Sequence, residues 1–122
     1  MSLSKEIRHF FSASRNSLRG IRMIARETAF RQELIFGVLH YALIVFLDIP
    51  FAEKLVLAAI WPPVLAAELL NSAIEAVVDR VSPEWSEFAM KAKDFASAAV
   101  GLLIASTVLL WAAVLVKRFV LN

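Results

Sequence analysis

The chain has 122 residues, of which 60% are hydrophobic, and its formal net charge is only +2. Soluble domains average roughly 45–50% apolar residues, and a chain this short cannot bury so much apolar surface in a core of its own. The composition therefore excludes an ordinary soluble protein and predicts a single membrane domain over residues 1–122. Disulfide bonds and thiolate metal sites are also excluded, because the sequence contains no cysteine.

The first 26 residues predict an amphipathic helix. At about 100° per residue, its arginines fall in one narrow stripe and its apolar residues gather on another side. The stripe comprises Arg8, Arg15, Arg19, Arg22 and Arg26, and the apolar side comprises Leu3, Ile7, Phe10, Leu18 and Ile21. Such a helix lies in the membrane interface, with its arginines at the phosphates. A basic arm for nucleic acid is the alternative, but the membrane-like remainder of the chain argues against a nucleic-acid partner.

Three further stretches predict helices that span the membrane, at about 30–49, about 53–81 and about 92–118. The apolar part of the first stretch covers only fourteen residues, so it needs extension through Glu33 to reach the about 20 residues that a bilayer requires. The third contains twenty-two consecutive uncharged residues. The sequence therefore predicts an all-α membrane protein with one surface helix and three spanning helices.

Basic residues predict the orientation of these spans. Residues 1–31 contain seven Lys or Arg and Arg80–Lys93 contains three, whereas the turn between the first two spans contains only Lys54. The positive-inside rule therefore places the N-terminus and the second loop in the cytoplasm. Lys117 and Arg118 near the C-terminus conflict with this orientation.

Several residues inside the spans predict packing rather than chemistry. His40 is expected to be a packed, neutral histidine instead of a metal ligand, and Tyr41 and Trp111 are expected to pack or to anchor their helices. The run Trp61–Pro63 contains two prolines, and each removes a backbone hydrogen bond. A kink or a local unwinding is therefore expected just before Glu68.

The second span carries the most informative polar residues. Glu68, Asn71, Glu75 and Asp79 are separated by three, four and four positions, so they lie along one face of a helix that is otherwise apolar. Carboxylates at membrane depth are costly and repel each other, so they need cations. Mg²⁺ suits such a site, since it binds one or two carboxylates together with waters and phosphate oxygens. A structural network of ion pairs with neighbouring helices is the alternative.

Two other polar groups stand at the predicted cytoplasmic ends of the remaining spans. Glu27 to Glu33 precedes the first span, and Lys93, Asp94 and Ser97 open the third. Convergence of acids and a lysine at one membrane surface would suit phosphoryl transfer from a soluble donor to a lipid hydroxyl. The three glycines are too scattered for a phosphate-binding loop, so any nucleotide would be held by side chains.

The run from Glu68 to Arg80, ELLNSAIEAVVDR, resembles the signature of the prokaryotic diacylglycerol kinase family. The segments ETAFRQE at 27–33 and KAKDFASAA at 91–99 are similar to the family in the expected order and spacing. The resemblance implies a homotrimer of three-helix subunits, each with an N-terminal surface helix. It also implies Mg-ATP-dependent phosphorylation of diacylglycerol to phosphatidic acid at the bacterial inner membrane.

The resemblance also implies roles for individual residues. Glu68 would be the general base that takes the proton from the lipid's primary hydroxyl. Asn71 would orient Glu68 or the ATP phosphates, and Lys93 would neutralise charge on the γ-phosphate. Glu27 and Glu75 would hold the divalent ion that bridges the ATP phosphates. Further nucleotide contacts would come from Asp79, Asp94, Arg8 and Ser17, with Ser97 near the lipid substrate.

Two other functions remain open from the sequence. A related lipid kinase acting on undecaprenol would keep the fold and the metal site, although threonine would be expected where Ser72 stands. A small non-enzymatic membrane subunit could use its acids as an ion relay. It would consume no ATP, and it would leave Lys93 and Asp94 without a role.

Overall fold

The computed structural model describes residues 3–121, and within that range the chain is all-helical. The helices are α1 (Leu3–Ile24), α2 (Thr28–Phe46), α3 (Phe51–Val81) and α4 (Glu87–Val116), followed by a π-helical turn at Lys117–Leu121. Three helices are long and apolar enough to cross a membrane: α2, α3, and α4 with its π-helical turn. The all-α class and the three predicted spans are thus confirmed.

The described chain divides into two compact units, with the boundary between Gln32 and Glu33. In the first unit, α1 exposes apolar as well as basic side chains along nearly its whole length. Phe10 and Leu18, for example, are both exposed. The second unit contains the rest of α2 together with α3 and α4, and it holds the acidic stripe predicted on the second span.

α4 begins earlier than the sequence analysis placed the third span, which was about residue 92. Ser86 caps the helix: its side chain accepts a hydrogen bond from the backbone N–H of Ala89 at 3.0 Å. Ser residues favour this position because they satisfy a backbone donor that the first turn leaves free. Glu87 and Lys91 form an ion pair on the first turns at 2.8 Å. The polar segment after Pro83 is therefore largely helical.

The core of the second unit lies near the turn that joins α2 to α3. Ile44, Ile49 and Leu57 are buried there, and Leu57 is fully enclosed. Side chains from the end of α4, including Leu110 and Val114, pack against this cluster. All three helices therefore meet at the end of the unit that is opposite to the acidic stripe.

His40 joins the three spans by two hydrogen bonds. Its Nε2 lies 2.8 Å from the Leu57 carbonyl oxygen on α3, and its Nδ1 accepts a hydrogen bond from Trp111 Nε1 on α4 at 3.0 Å. A carbonyl can only accept and an indole N–H can only donate. The imidazole is therefore neutral, with its proton on Nε2, and the prediction of a packed neutral histidine is confirmed.

The two prolines do not unwind α3, which runs unbroken from Phe51 to Val81. Pro62 has no N–H, so the carbonyl of Ala58 loses its usual donor four residues ahead. The hydroxyl of Tyr41 on α2 donates to that carbonyl at 3.0 Å. A neighbouring helix thus replaces the missing bond, as helices in a membrane can, and the predicted local unwinding is wrong.

α2 and α3 approach closely at Gly37. A side-chain carbon at this position would overlap the indole nitrogen of Trp61, which is itself buried. Only glycine, which has no side chain, leaves enough space for the indole ring. This contact between α2 and α3 lies between the hydrogen bonds of His40 and the acidic stripe.

The end of the unit near Pro50 carries two ion pairs formed by the π-helical turn, one with α3 and one with the loop before it. Lys117 pairs with Glu53, and Arg118 donates to the backbone carbonyl of Asp48 at 2.9 Å and to its carboxylate at 3.4 Å. The two cations that conflict with the positive-inside rule are therefore each joined to an acid.

Candidate active site

The acidic stripe on α3 runs from a buried end to an exposed end. Glu68 and Asn71 are 7% and 8% exposed, whereas Glu75 is exposed and the side chain of Asp79 is 65% exposed. The spacing of three and four residues keeps these side chains on one face of the helix. One face of α3 therefore carries polar groups from the apolar interior to the polar edge.

Glu33 on α2 is a buried acid that was not among the predicted site residues. It is only 9% exposed, and Glu68 acts on it electrostatically. The sequence analysis placed Glu33 in the polar group at 27–33 and used it to extend the first span, but gave it no role of its own. Its position in the ETAFRQE segment was a signal, but Glu68 lies 35 positions further along the chain.

Asn71 connects the buried end of the stripe to the exposed end. Its Nδ2 donates to Glu75 Oε1 at 3.3 Å. Its Oδ1 is buried and has no hydrogen-bond partner within residues 3–121. The side chain thus positions Glu75 and keeps one acceptor available beside Glu68.

Lys93 brings a positive charge from α4 to the exposed end. Its Nζ lies 2.5 Å from Asp79 Oδ1, and Glu75 also acts on it electrostatically. The pair is exposed, so it stabilises the fold little. It does place a lysine beside the two exposed acids of the stripe.

Two other predicted residues of α4, Asp94 and Ser97, are exposed. In the described part of the chain, no hydrogen bond or ion pair joins them to the stripe on α3. An open cavity of about 430 Å³ lies beside Asn71, between α3 and α4. Its lining is almost wholly apolar, with Leu70 and Phe95 at its sides.

The remaining predicted site residues belong to the first unit. On α1, Arg8 donates to the Ser4 carbonyl at 3.2 Å and the Ser17 hydroxyl donates to the Ala13 carbonyl at 3.1 Å. Both side chains are exposed. Glu27 is exposed in the turn that follows α1, and its carbonyl accepts from the backbone N–H of Arg31.

The exposed carboxylates of the stripe fit a magnesium ion that shares its ligands with a substrate. Residues 3–121 contain no group of three or more His, Asp or Glu side chains that could hold a metal unaided. Mg²⁺ does not require one, because it takes one or two carboxylates and fills its octahedron with waters and phosphate oxygens. Glu75 suits this role, since its carboxylate is exposed and one oxygen is already held by Asn71.

Comparison with known proteins identifies the family. The model of the prokaryotic diacylglycerol kinase family matches residues 15–115. The chain belongs to this family. A diacylglycerol kinase from Sinorhizobium sp. is 40% identical over 98 residues, covering 80% of this chain and 72% of that protein. The diacylglycerol kinase of Escherichia coli K12 is 38% identical over 104 residues, 84% and 85% of the two chains. That of Haemophilus influenzae is 34% identical over 108 residues, 88% and 92%.

The region matched to the diacylglycerol kinase family contains the whole stripe on α3. It also contains Glu33, which was not predicted as a site residue, and every predicted site residue except Arg8. The family match therefore covers both the buried acids and the exposed lysine and carboxylates.

Proposed function

We propose that this chain transfers the γ-phosphoryl group of ATP to the primary hydroxyl of diacylglycerol, forming phosphatidic acid at the cytoplasmic face of the bacterial inner membrane. The observation that carries the proposal is the polar gradient on α3, from buried Glu68 to exposed Asp79. A reaction between a membrane lipid and a soluble nucleotide needs an apolar end that receives the lipid and a solvent-exposed end that receives the nucleotide. Membership of the diacylglycerol kinase family supports this substrate.

Glu68 is the general base in this proposal. Its carboxylate lies at the buried end, where a lipid hydroxyl can reach it while the acyl chains stay in apolar surroundings. The apolar cavity beside Asn71 supports a lipid at this end. As the hydroxyl oxygen attacks the γ-phosphorus in line, its proton passes to Glu68, and the bond from that phosphorus to ADP breaks so that ADP leaves.

The nucleotide occupies the exposed end. Lys93 neutralises charge on the γ-phosphate, and Asp79 and Asp94 contact the nucleotide. Glu75 supplies a carboxylate to Mg²⁺, and Asn71 holds that carboxylate in place. When bound, the ion would neutralise negative charge on the phosphates.

Residues of the first unit complete the proposal by resemblance. Glu27 is assigned as a second magnesium ligand, and Arg8 and Ser17 as nucleotide contacts. Ser97 of α4 is assigned to the lipid substrate. The exposed apolar side chains of α1 support its assignment as an interfacial helix. The protein works as a homotrimer with its N-terminus in the cytoplasm.

The decisive experiment follows labelled phosphate from ATP, with Mg²⁺, into diacylglycerol and separately into undecaprenol. We expect labelled product from diacylglycerol and none from undecaprenol. We also expect that no product forms when Mg²⁺ is left out. Glu68→Gln should abolish transfer, while the matched variant Glu87→Gln, exposed on the first turn of α4, should keep it. Transfer to undecaprenol would show that undecaprenol, and not diacylglycerol, is the substrate. If the folded protein phosphorylated neither lipid, an ion relay or a structural role would be favoured.

A further inference from the structure

The positive charges of α1 lie along one side of the helix. α1 contains five Lys or Arg residues and a single acid, Glu6. At about 100° per residue, its four arginines fall within about 60° of one another, whereas Glu6 lies about 170° away from their centre. These four residues, the arginine row, are Arg8, Arg15, Arg19 and Arg22. The acid of α1 therefore lies on the side opposite to the arginine row and does not neutralise it.

Neutral oxygens of α1 hold two members of the arginine row. Arg19 Nη2 donates to Asn16 Oδ1 at 2.9 Å, and Arg8 Nε donates to the Ser4 carbonyl at 3.2 Å. A neutral acceptor orients a guanidinium group without cancelling its charge. Each of these bonds also uses only one of the five N–H donors of the group. The arginine row therefore keeps its positive charge within α1.

Apolar side chains of α1 border the arginine row. An open groove of about 610 Å³ on this helix is lined by Arg8 and Arg15, by Phe11 and Leu18, and by two serines. Arginine can keep its stem against apolar groups while its guanidinium reaches a polar layer, and phosphates and acyl chains are adjacent layers of a leaflet. Only three residues join α1 to α2, so the end of α1 stays within about 14 Å of the start of a span.

We propose that the arginine row binds the phosphate groups of anionic phospholipids, so that docking of α1 on the membrane depends on the negative charge of the leaflet. This inference rests on the assignment of α1 as an interfacial helix in the proposed function. Guanidinium groups form charge-assisted, often bidentate hydrogen bonds with phosphate. Each cation held near an anionic leaflet favours docking by about fivefold. In a zwitterionic leaflet the headgroup cation cancels the phosphate charge, and only the apolar side of α1 favours docking.

A fluorescent label on α1 tests the dependence on lipid charge. The chain contains no cysteine, so Ser14→Cys introduces a unique thiol at a position that falls among the apolar residues of α1. The full chain carries a polarity-sensitive dye on that thiol, in vesicles of phosphatidylcholine alone or mixed with anionic phosphatidylglycerol. Emission should shift to the blue when phosphatidylglycerol is present, because the label enters the apolar layer. Concentrated salt should reverse the shift, because it screens the charges.

Matched variants of the arginine row separate charge from apolar burial. Changing Arg15, Arg19 and Arg22 together to Gln should lower the ratio of docked to undocked α1 about a hundredfold in the anionic vesicles. Changing the same three to Lys keeps the charge and should keep the shift. Arg8 stays unchanged, because the proposed function assigns it to the nucleotide.

The outcomes distinguish this inference from the claims on which it rests. Equal emission in both kinds of vesicle, or a shift that survives salt and the Gln changes, would overturn the role of lipid charge and leave α1 an interfacial helix. Such a result is expected if the arginine row packs against another protein chain instead. Emission typical of water in both vesicles would overturn the interfacial helix as well. The salt titration uses the unchanged arginine row, so it decides the question even if the Gln variant misfolds, and no step depends on kinase activity.

Discussion

The hydroxyl of Tyr41 donates to the carbonyl of Ala58, the group that Pro62 deprives of its helical donor. Tyr41→Phe should leave this carbonyl unsatisfied and lower the free energy of unfolding by about 1–3 kcal/mol. Thermal or denaturant unfolding in detergent measures the loss. In a Pro62→Ala background the backbone N–H returns, so the same change should cost little. An equal cost in both backgrounds would rule out this compensation.

The contact between Gly37 and Trp61 predicts a steric effect. Gly37→Ala places a methyl group against the indole nitrogen, and overpacking of this kind costs about 1–3 kcal/mol. Unfolding of the purified variant in detergent should show that loss. Gly101→Ala is the matched control, because a Cβ there meets no atom of the described chain within 4 Å. Trp61→Phe should restore stability to Gly37→Ala, and a failure to do so would argue against the clash.

Replacement of Lys93 is expected to have a large effect on activity and a small effect on folding stability. Lys93→Met removes the positive charge proposed to meet the γ-phosphate, and loss of one such group lowers kcat about a hundredfold or more. The pair with Asp79 is exposed, so the unfolding temperature should hardly change. Steady-state kinetics and a thermal scan of the same preparation measure both. A stable variant with near-normal kcat would remove Lys93 from the site.

Replacement of Asn71 is expected to raise the magnesium concentration that the enzyme requires. Asn71→Ala frees the Glu75 carboxylate, which Asn71 Nδ2 otherwise holds at 3.3 Å. Loss of a group that orients a metal ligand weakens metal binding by about 10–100-fold. The Mg²⁺ concentration for half-maximal activity should rise by that factor. Ser72→Ala, next in the chain, is the control, and an unchanged magnesium titration for Asn71→Ala would contradict Glu75 as a ligand.

Local patterns explain what could be predicted from the sequence. Hydrophobic runs locate the three spans, and helical periodicity places Glu68, Asn71, Glu75 and Asp79 on one face without any knowledge of neighbouring helices. Ser86 is an ordinary N-cap residue, so the early start of α4 was readable as well. These features depend on residues within a few turns of one another.

Features that depend on contacts between helices could not be predicted in the same way. The electrostatic effect of Glu68 on Glu33 relates residues of α3 and α2 that are 35 positions apart, and the close approach of Gly37 to Trp61 likewise joins two helices. Propensity rules predict a break at Pro62, and they fail because a tyrosine from another helix supplies the missing donor. In both cases the interacting residues are far apart in the sequence, so local patterns do not reveal the interaction.

The ion pairs at the other end of the unit bear on how the chain enters the bilayer. In the proposed orientation, Lys117 and Arg118 must cross to the outer side, against a membrane potential that is negative inside. Carrying one elementary charge across costs about 2.3 kcal/mol per 100 mV. Glu53 and Asp48 cross to the same side and pair with them, so these four residues move no net charge. The electrical work of translocating the last two cations is thereby cancelled by the acids that later hold them.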